Sequence, residues 1–246
     1  MPVRDCHAPL HCPILRALQR DLPVTLDQIE CTIAIAGLAP RGALALDQSE
    51  QVGPLAGCQR LVLVGLAGRT GWDSFARSAE FADGLPDPLD RWSTRCITAL
   101  ADRLDARPLF PFGGPPYWPF QQWARRAEPL HPSPLGLLIH PAHGLWHSYR
   151  GALAFAAPFD LPPLADIPSP CAECHAKPCL TACPVSAYGP HGFAVESCAQ
   201  WLRSADGRPC MNHGCRARAA CPVGAQSAHQ ADQASFGMRA FLAARD

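Results

Sequence analysis

Two runs of cysteine between Cys171 and Pro222 constrain this chain more than anything else in it. The first, CAECHAKPCLTACP, spaces Cys171, Cys174, Cys179 and Cys183 by two, four and three residues. The second is Cys198 alone, followed by Cys210, Cys215 and Cys221, with four and five residues between them. Each run ends in Cys-Pro, at Pro184 and Pro222. Eight of the 13 cysteines lie in this stretch, and eight thiolates are what two 4Fe–4S clusters require. In such modules three ligands come from one tight loop, and the cysteine before proline crosses to the other cluster. That logic groups Cys171, Cys174 and Cys179 with Cys221, and Cys183 with Cys198, Cys210 and Cys215. Small residues such as Ala172, Ala182, Gly214 and Ala219 leave room for backbone amides near the sulfurs. The proline after each final cysteine turns the chain away and removes an N–H donor.

The spacings are wider than those of a bacterial ferredoxin, which has two residues where this chain has His175 to Pro178. Three other readings use the same residues. Structural zinc accepts a C-x2-C pair but has no need of eight thiolates or of two Cys-Pro endings. Disulfides require an oxidising compartment. Unrelated core cysteines would not gather so densely.

The remaining composition excludes several classes. Hydrophobic residues make up 48% and charged residues 17%, which suits a packed globular body rather than a disordered chain. Lys and Arg number 21 against 21 Asp and Glu, so no basic footprint points to nucleic acid or an anionic membrane. The N-terminus lacks the apolar core of a secretory signal, and the longest apolar run, Leu61 to Ala67, falls far short of the ~18 residues of a membrane span. A reducing cytoplasm is the expected compartment. Cys6, Cys12, Cys31, Cys58 and Cys96 are scattered and read as small buried or surface residues. Cys6-His7 and His11-Cys12 form a candidate metal corner interrupted by Pro9 and Pro13.

Taken in order, CTIAIAGL from Cys31 reads as a strand, APRGALAL as a second extended piece, and LVLVG from Leu61 as a buried strand. Residues 88 to 104 read as a helix begun by Asp87 and Pro88, with Leu89, Trp92, Cys96, Leu100 and Leu104 near one face. The loop RPLFPFGGPPYWPF carries Phe110, Phe112, Tyr117, Trp118 and Phe120, which suit either a cofactor wall or a packing seam. A helix is expected around Gln121 to Glu128. LGLLI and GALAF then read as strands around a loop holding His140, His143, Trp146 and His147. Pro141 and Gly144 argue against a helix there, so these histidines suit a place near a cofactor better than a metal site. FDLPPLADIPSP is a linker, and the residues after Pro222 form a closing helix with Phe236, Phe241 and Leu242 on its apolar side.

With these residues in view, the chain resembles the epoxyqueuosine reductase family, which is related to reductive dehalogenases and to the cobalamin C type of vitamin B12 processing protein. The resemblance spans roughly residues 130 to 222. It rests on SPLGLLIHPAHGLWHSYRGALAF, on FDLPPLADIPSPCAEC, on LTACPVSAYGPHGFAVESCAQWL and on the final Cys221-Pro222. It implies an α+β chain in which residues 1–164 form a nitroreductase-like domain, 165–225 a ferredoxin-like module with two 4Fe–4S clusters, and 226–246 a helix packed back on the body. It further implies electron transfer to a bound cofactor or partner in a reductase reaction, fed by a ferredoxin- or flavodoxin-type donor and acting on a small molecule. Cobalamin, and less readily flavin, is the implied second cofactor, with Tyr117, Trp118, His140, His143 and Trp146 as candidate walls. A cobalamin-dependent reductase and a non-catalytic cobalamin-handling factor are the alternatives. The family's D-x-H-x-x-G motif is missing, since HPAHG lacks the aspartate, and only 24 residues follow Pro222, too few for the family's helical repeats. Epoxyqueuosine reduction itself is therefore not expected, and no catalytic residue carries over.

Overall fold

A computed structural model describes residues 24–245. The Cys6-His7 and His11-Cys12 corner lies outside the described residues. The first element corrects the strand expected from Cys31: Leu26–Ile35 is a helix, α1. Its start is chemical. The Thr25 hydroxyl accepts from the Gln28 N–H at 3.3 Å, while the Gln28 side chain accepts from the Thr25 N–H at 3.0 Å, which satisfies two otherwise orphaned donors. Ile29 and Ile33, four residues apart, are then both buried.

Four antiparallel strands form the main sheet, in the order β1 (Ala39–Ala45), β2 (Arg60–Ala67), β6 (His147–Phe155) and β3 (Arg107–Leu109). Its centre is β2, apolar nearly throughout because both faces are covered. Val62, Val64 and Leu66 point into a core with Ile29, Ile33, Trp92 and Ile97. Leu61 and Leu63 alternate to the other face and meet Phe120, Trp123 and Leu130. Each such side chain contributes roughly 1.5–3 kcal/mol relative to exposure, so the two-residue period of β2 supplies much of the body's cohesion.

Short helices α2 (Trp72–Ala76) and α3 (Ala79–Ala82) lead into α4 (Pro88–Leu104), which has Pro at its first turn as expected. Asp87 precedes α4 in a left-handed conformation and makes no side-chain cap bond. Helix α5 (Phe120–Ala127) covers the opposite face and ends at Glu128. Beneath it the buried Arg41 donates to Glu128 at 2.8 Å, and the Tyr149 hydroxyl bonds the same carboxylate oxygen. Burial pushes the Glu128 carboxyl up, against the pull of Arg41 and Tyr149.

A two-residue hairpin, β4 (His131–Pro132) with β5 (Leu138–Ile139), stands at the edge of the body. An extended, exposed segment through the prolines up to Pro170 follows β6 and is tied down where His131 Nε2 meets the Ile167 carbonyl at 2.8 Å. The rest consists of a small hairpin, β7 (Tyr188–Gly189) and β8 (Gly192–Phe193), and helices α6 (Pro178–Thr181), α7 (Val195–Arg203), α8 (Arg208–His213) and α9 (Arg216–Ala219). Helices this short are unstable alone; α6 and α9 are anchored by a small cluster around Leu135, Ile139, Leu145, Cys179 and Ala217. Finally α10 (Ala231–Ala243) lies along α8 and inserts Phe236 among Trp72, Phe75 and Phe81. The described residues thus form a mixed α and β fold with one four-stranded sheet and two small ones.

Candidate functional site

The cysteine-rich segment closes on two separate cavities. Cys171, Cys174, Cys179 and Cys221 border one of about 20 Å³, together with Pro134, Ile139 and Lys177. Cys183, Cys198, Cys210 and Cys215 border the other, also of about 20 Å³, with Tyr188, Trp201 and Met238. The division is the one that crossing over at Cys-Pro suggests. Chain geometry accounts for it. Pro178 starts α6 and sets Cys179 against the first cavity, whereas Cys183, just beyond that helix, faces the second. Cys198 comes from the middle of α7, and Cys210 and Cys215 flank the end of α8.

All eight are free thiols. Burial, and then the nearness of Cys215, Cys183 and Cys210, pushes the Cys198 thiol up to about 11. Burial and then Cys221 raise the Cys171 and Cys179 thiols. Among the described residues no three His, Cys, Asp or Glu side chains stand close enough to hold a single metal ion. Four thiols per cavity, with apolar neighbours and few competing donors, fit a polynuclear iron–sulfur centre.

A cleft of about 590 Å³ lies beside them, lined by Gln121, Arg125, Leu138, Tyr149, Arg218 and His229 among others. The β5 strand separates it from the first cavity: Leu138 faces the cleft and Ile139 faces the cysteines. Arg218 joins the two regions. Its guanidinium donates to the Leu145 carbonyl at 3.1 Å from Nε and 2.5 Å from Nη2, and lies 4.4 Å from the Trp146 ring. Burial brings the Arg218 pKa down to about 10. Burial likewise brings His147 and His229 down to about 3, so both are neutral donors or acceptors at physiological pH.

The five expected cofactor contacts do not line this cleft. Tyr117 is 68% exposed on its loop, and Trp118 stacks on Trp123 at 5.8 Å. His140 and His143 pack together at 4.8 Å, and His140 Nδ1 accepts from the Ala142 and His143 N–H groups. That nitrogen is thereby committed to shaping the loop. Trp146 is buried behind the cleft, between Arg218 and His229. His147, from the same loop, is a lining residue. Gln121 and Arg125 stand four residues apart on α5, but Arg218 and His229 reach the cleft from far along the chain, so no local spacing unites the four.

The body and the cysteine segment meet at two glycines. A Cβ on Gly144 would lie 1.9 Å from the Val223 carbonyl oxygen, and one on Gly224 would lie 2.3 Å from the His143 carbonyl carbon. Both have positive φ, 57° and 68°, which glycine alone adopts without strain.

Among solved structures the chain is similar to an epoxyqueuosine reductase crystallised with an epoxyqueuosine-modified tRNA-Tyr stem loop, at 18% identity and a TM-score of 0.42. The match covers 71% of this chain and 51% of that one, so the chain spans about half the length of that structure. No protein-family model and no curated protein matches it.

Proposed function

We propose that this chain is an iron–sulfur protein holding two 4Fe–4S clusters, which pass electrons to a cofactor or small molecule in a reductase reaction. One observation carries the reading: eight free thiols divide four and four around two separate cavities. Cys171, Cys174, Cys179 and Cys221 would hold one cluster, and Cys183, Cys198, Cys210 and Cys215 the other. Zinc is the weaker alternative, since a tetrahedral structural site takes four ligands and has no need of eight thiolates in two Cys-Pro-ended runs. The clusters would supply one-electron transfer. The protein's part is to position the thiols and keep their surroundings apolar.

The cleft favours an acceptor bound by the chain itself. Strand β5 borders both it, through Leu138, and the first quartet, through Ile139, and the cleft's lining mixes apolar side chains with a few polar groups, as cofactor sites do. Cobalamin is the first candidate and flavin the second, with a ferredoxin- or flavodoxin-type protein as the electron source. Cobalamin handling without turnover is the alternative, distinguished by corrin retention with no reductase activity. Anaerobic purification with iron, sulfide and EPR analysis tests the cluster reading. About eight irons per chain are expected; zinc, or iron far below eight, would overturn it. The absorbance of the same sample reports any corrin or flavin.

A further inference from the structure

We propose that Tyr188 raises the reduction potential of the centre held by Cys183, Cys198, Cys210 and Cys215 by donating its phenolic proton to the Cys215 sulfur. This inference rests on the two-cluster reading above and assigns a role to a residue outside the ligand set. Tyr188 sits on β7 and borders the second cavity. Its oxygen lies 3.6 Å from Cys215 Sγ. Between two free groups either partner is able to give the proton. A sulfur bound to iron has none, so in the loaded protein the phenol is the donor. The phenol has no other hydrogen-bond partner among the described residues.

The ring is held in place independently of that bond. Tyr188 stacks on Phe193 with centroids 4.9 Å apart and planes 15° from parallel. The β7–β8 pairing fixes both residues in register as direct cross-strand partners. The same turn contributes a second donor, the Ala187 N–H, at 3.3 Å from Cys183 Sγ. The first quartet has no comparable side-chain donor: only the backbone N–H groups of Cys179 and Leu180 lie near the Cys179 sulfur. One cation borders each cavity, Lys177 at the first and Arg216 at the second, and Arg245 lies near Cys198 as well. Tyr188 and Trp201 are neutral side-chain donors bordering the second site; the Trp201 indole N–H is buried without a partner among the described residues, and of the two only Tyr188 lies within hydrogen-bond distance of a cysteine sulfur.

Reduction adds one electron from an external reductant, breaks no bond, and leaves one more negative charge spread over iron and sulfur. A hydrogen bond to a ligand sulfur stabilises that charge, and such bonds are among the levers that set cluster potentials. Tyr188→Phe removes the hydroxyl and keeps the stacking on Phe193, so it isolates the bond from the packing.

The test is an EPR-monitored redox titration, with dithionite as reductant, of anaerobically purified full-length protein and of Tyr188→Phe. Cys198→Ala identifies which signal belongs to the second quartet. The expected result is an unchanged iron content in Tyr188→Phe and a lower midpoint potential for that signal alone. Unchanged midpoints, an upward shift, or a shift confined to the other signal would overturn the proposal. Loss of iron from Tyr188→Phe would also count against it, because a side chain that only tunes a centre is not needed to hold it. Absence of iron–sulfur signals from the unsubstituted protein is a separate outcome, in which the two-cluster reading itself fails.

Discussion

At the scale of single residues, the cysteines and the buried ion pair make opposite demands. Cys198 stands alone in sequence, yet it borders the second cavity with three others. Replacing it by alanine should halve the iron, from about eight to about four per chain, and leave one of the two EPR signals; loss of neither would remove Cys198 from the ligand set. Cys58, fully buried in the body, is the internal contrast, and its replacement should leave the iron unchanged. Glu128→Gln tests a different kind of dependence. It deprives Arg41, 1% exposed, of its carboxylate, and removing one partner of a buried pair costs about 3–5 kcal/mol, readable as a lower midpoint in denaturant unfolding. The two cases also differ in how much the sequence reveals. Cysteine spacing is a local property, so the two groups that border the two cavities could be drawn from cysteines and prolines alone. Arg41, Glu128 and Tyr149 are brought together by tertiary packing across 87 and 21 positions, and no local pattern announces them. Arg218 and His229 were hidden from a reading of spacing for the same reason.

Among the elements, α10 shows how a terminal helix is held. Asp232, in its first turn, accepts from the Trp72 indole N–H at 2.6 Å and from Arg69 at 3.0 Å. Burial opposes the charge, but Arg69 and Trp72 prevail and hold the Asp232 carboxyl at about 2. Its native pKa thus lies below the unfolded value near 4, so the contribution is present above about pH 4 and is lost as the pH falls toward 2. Asp232 is half exposed, so Asp232→Ala should cost only about 1 kcal/mol. Faster amide exchange in 231–243 than in the unsubstituted protein would report the loosened docking, and unchanged exchange would exclude it. The elements also show where pattern reading succeeds. Strand β2 and helix α4 announce themselves by period and by a first-turn proline. Helix α1 was read as a strand because Ile33 and Ile35 are β-branched and the apolar run CTIAIAGL is short. The discriminating signal was upstream, in the Thr25 and Gln28 capping pair. The hairpin pairing β4 with β5 has two residues in each strand, too few for any periodicity.

Over the whole molecule, cohesion is unevenly distributed. The sheet is clamped between two apolar cores, whereas the segment from 171 to 222 has one small cluster, whose partly buried members include Cys171, Cys183, Cys215 and Cys221, and the packing of α8 along α10. Metal bonds would then supply a large part of that segment's folding free energy. Stripping the iron should sharply increase hydrogen exchange across 171–222 and leave β2 and β6 protected; equal protection before and after would mean that the segment stands without metal. The main sheet was legible where β2 and the second half of β6 form continuous buried apolar runs, while the cleft was not, because its wall is assembled from residues between 121 and 229. The paired glycines at 144 and 224 place two peptide chains in direct touch, and this bears on anyone wishing to transplant the cysteine-bearing portion. Stretch 171–222 ends just short of Val223 and Gly224, so a graft cut there leaves half of the joint behind. The donor piece must extend through Gly224, and the recipient must offer a bare backbone shaped like that of His143 and Gly144.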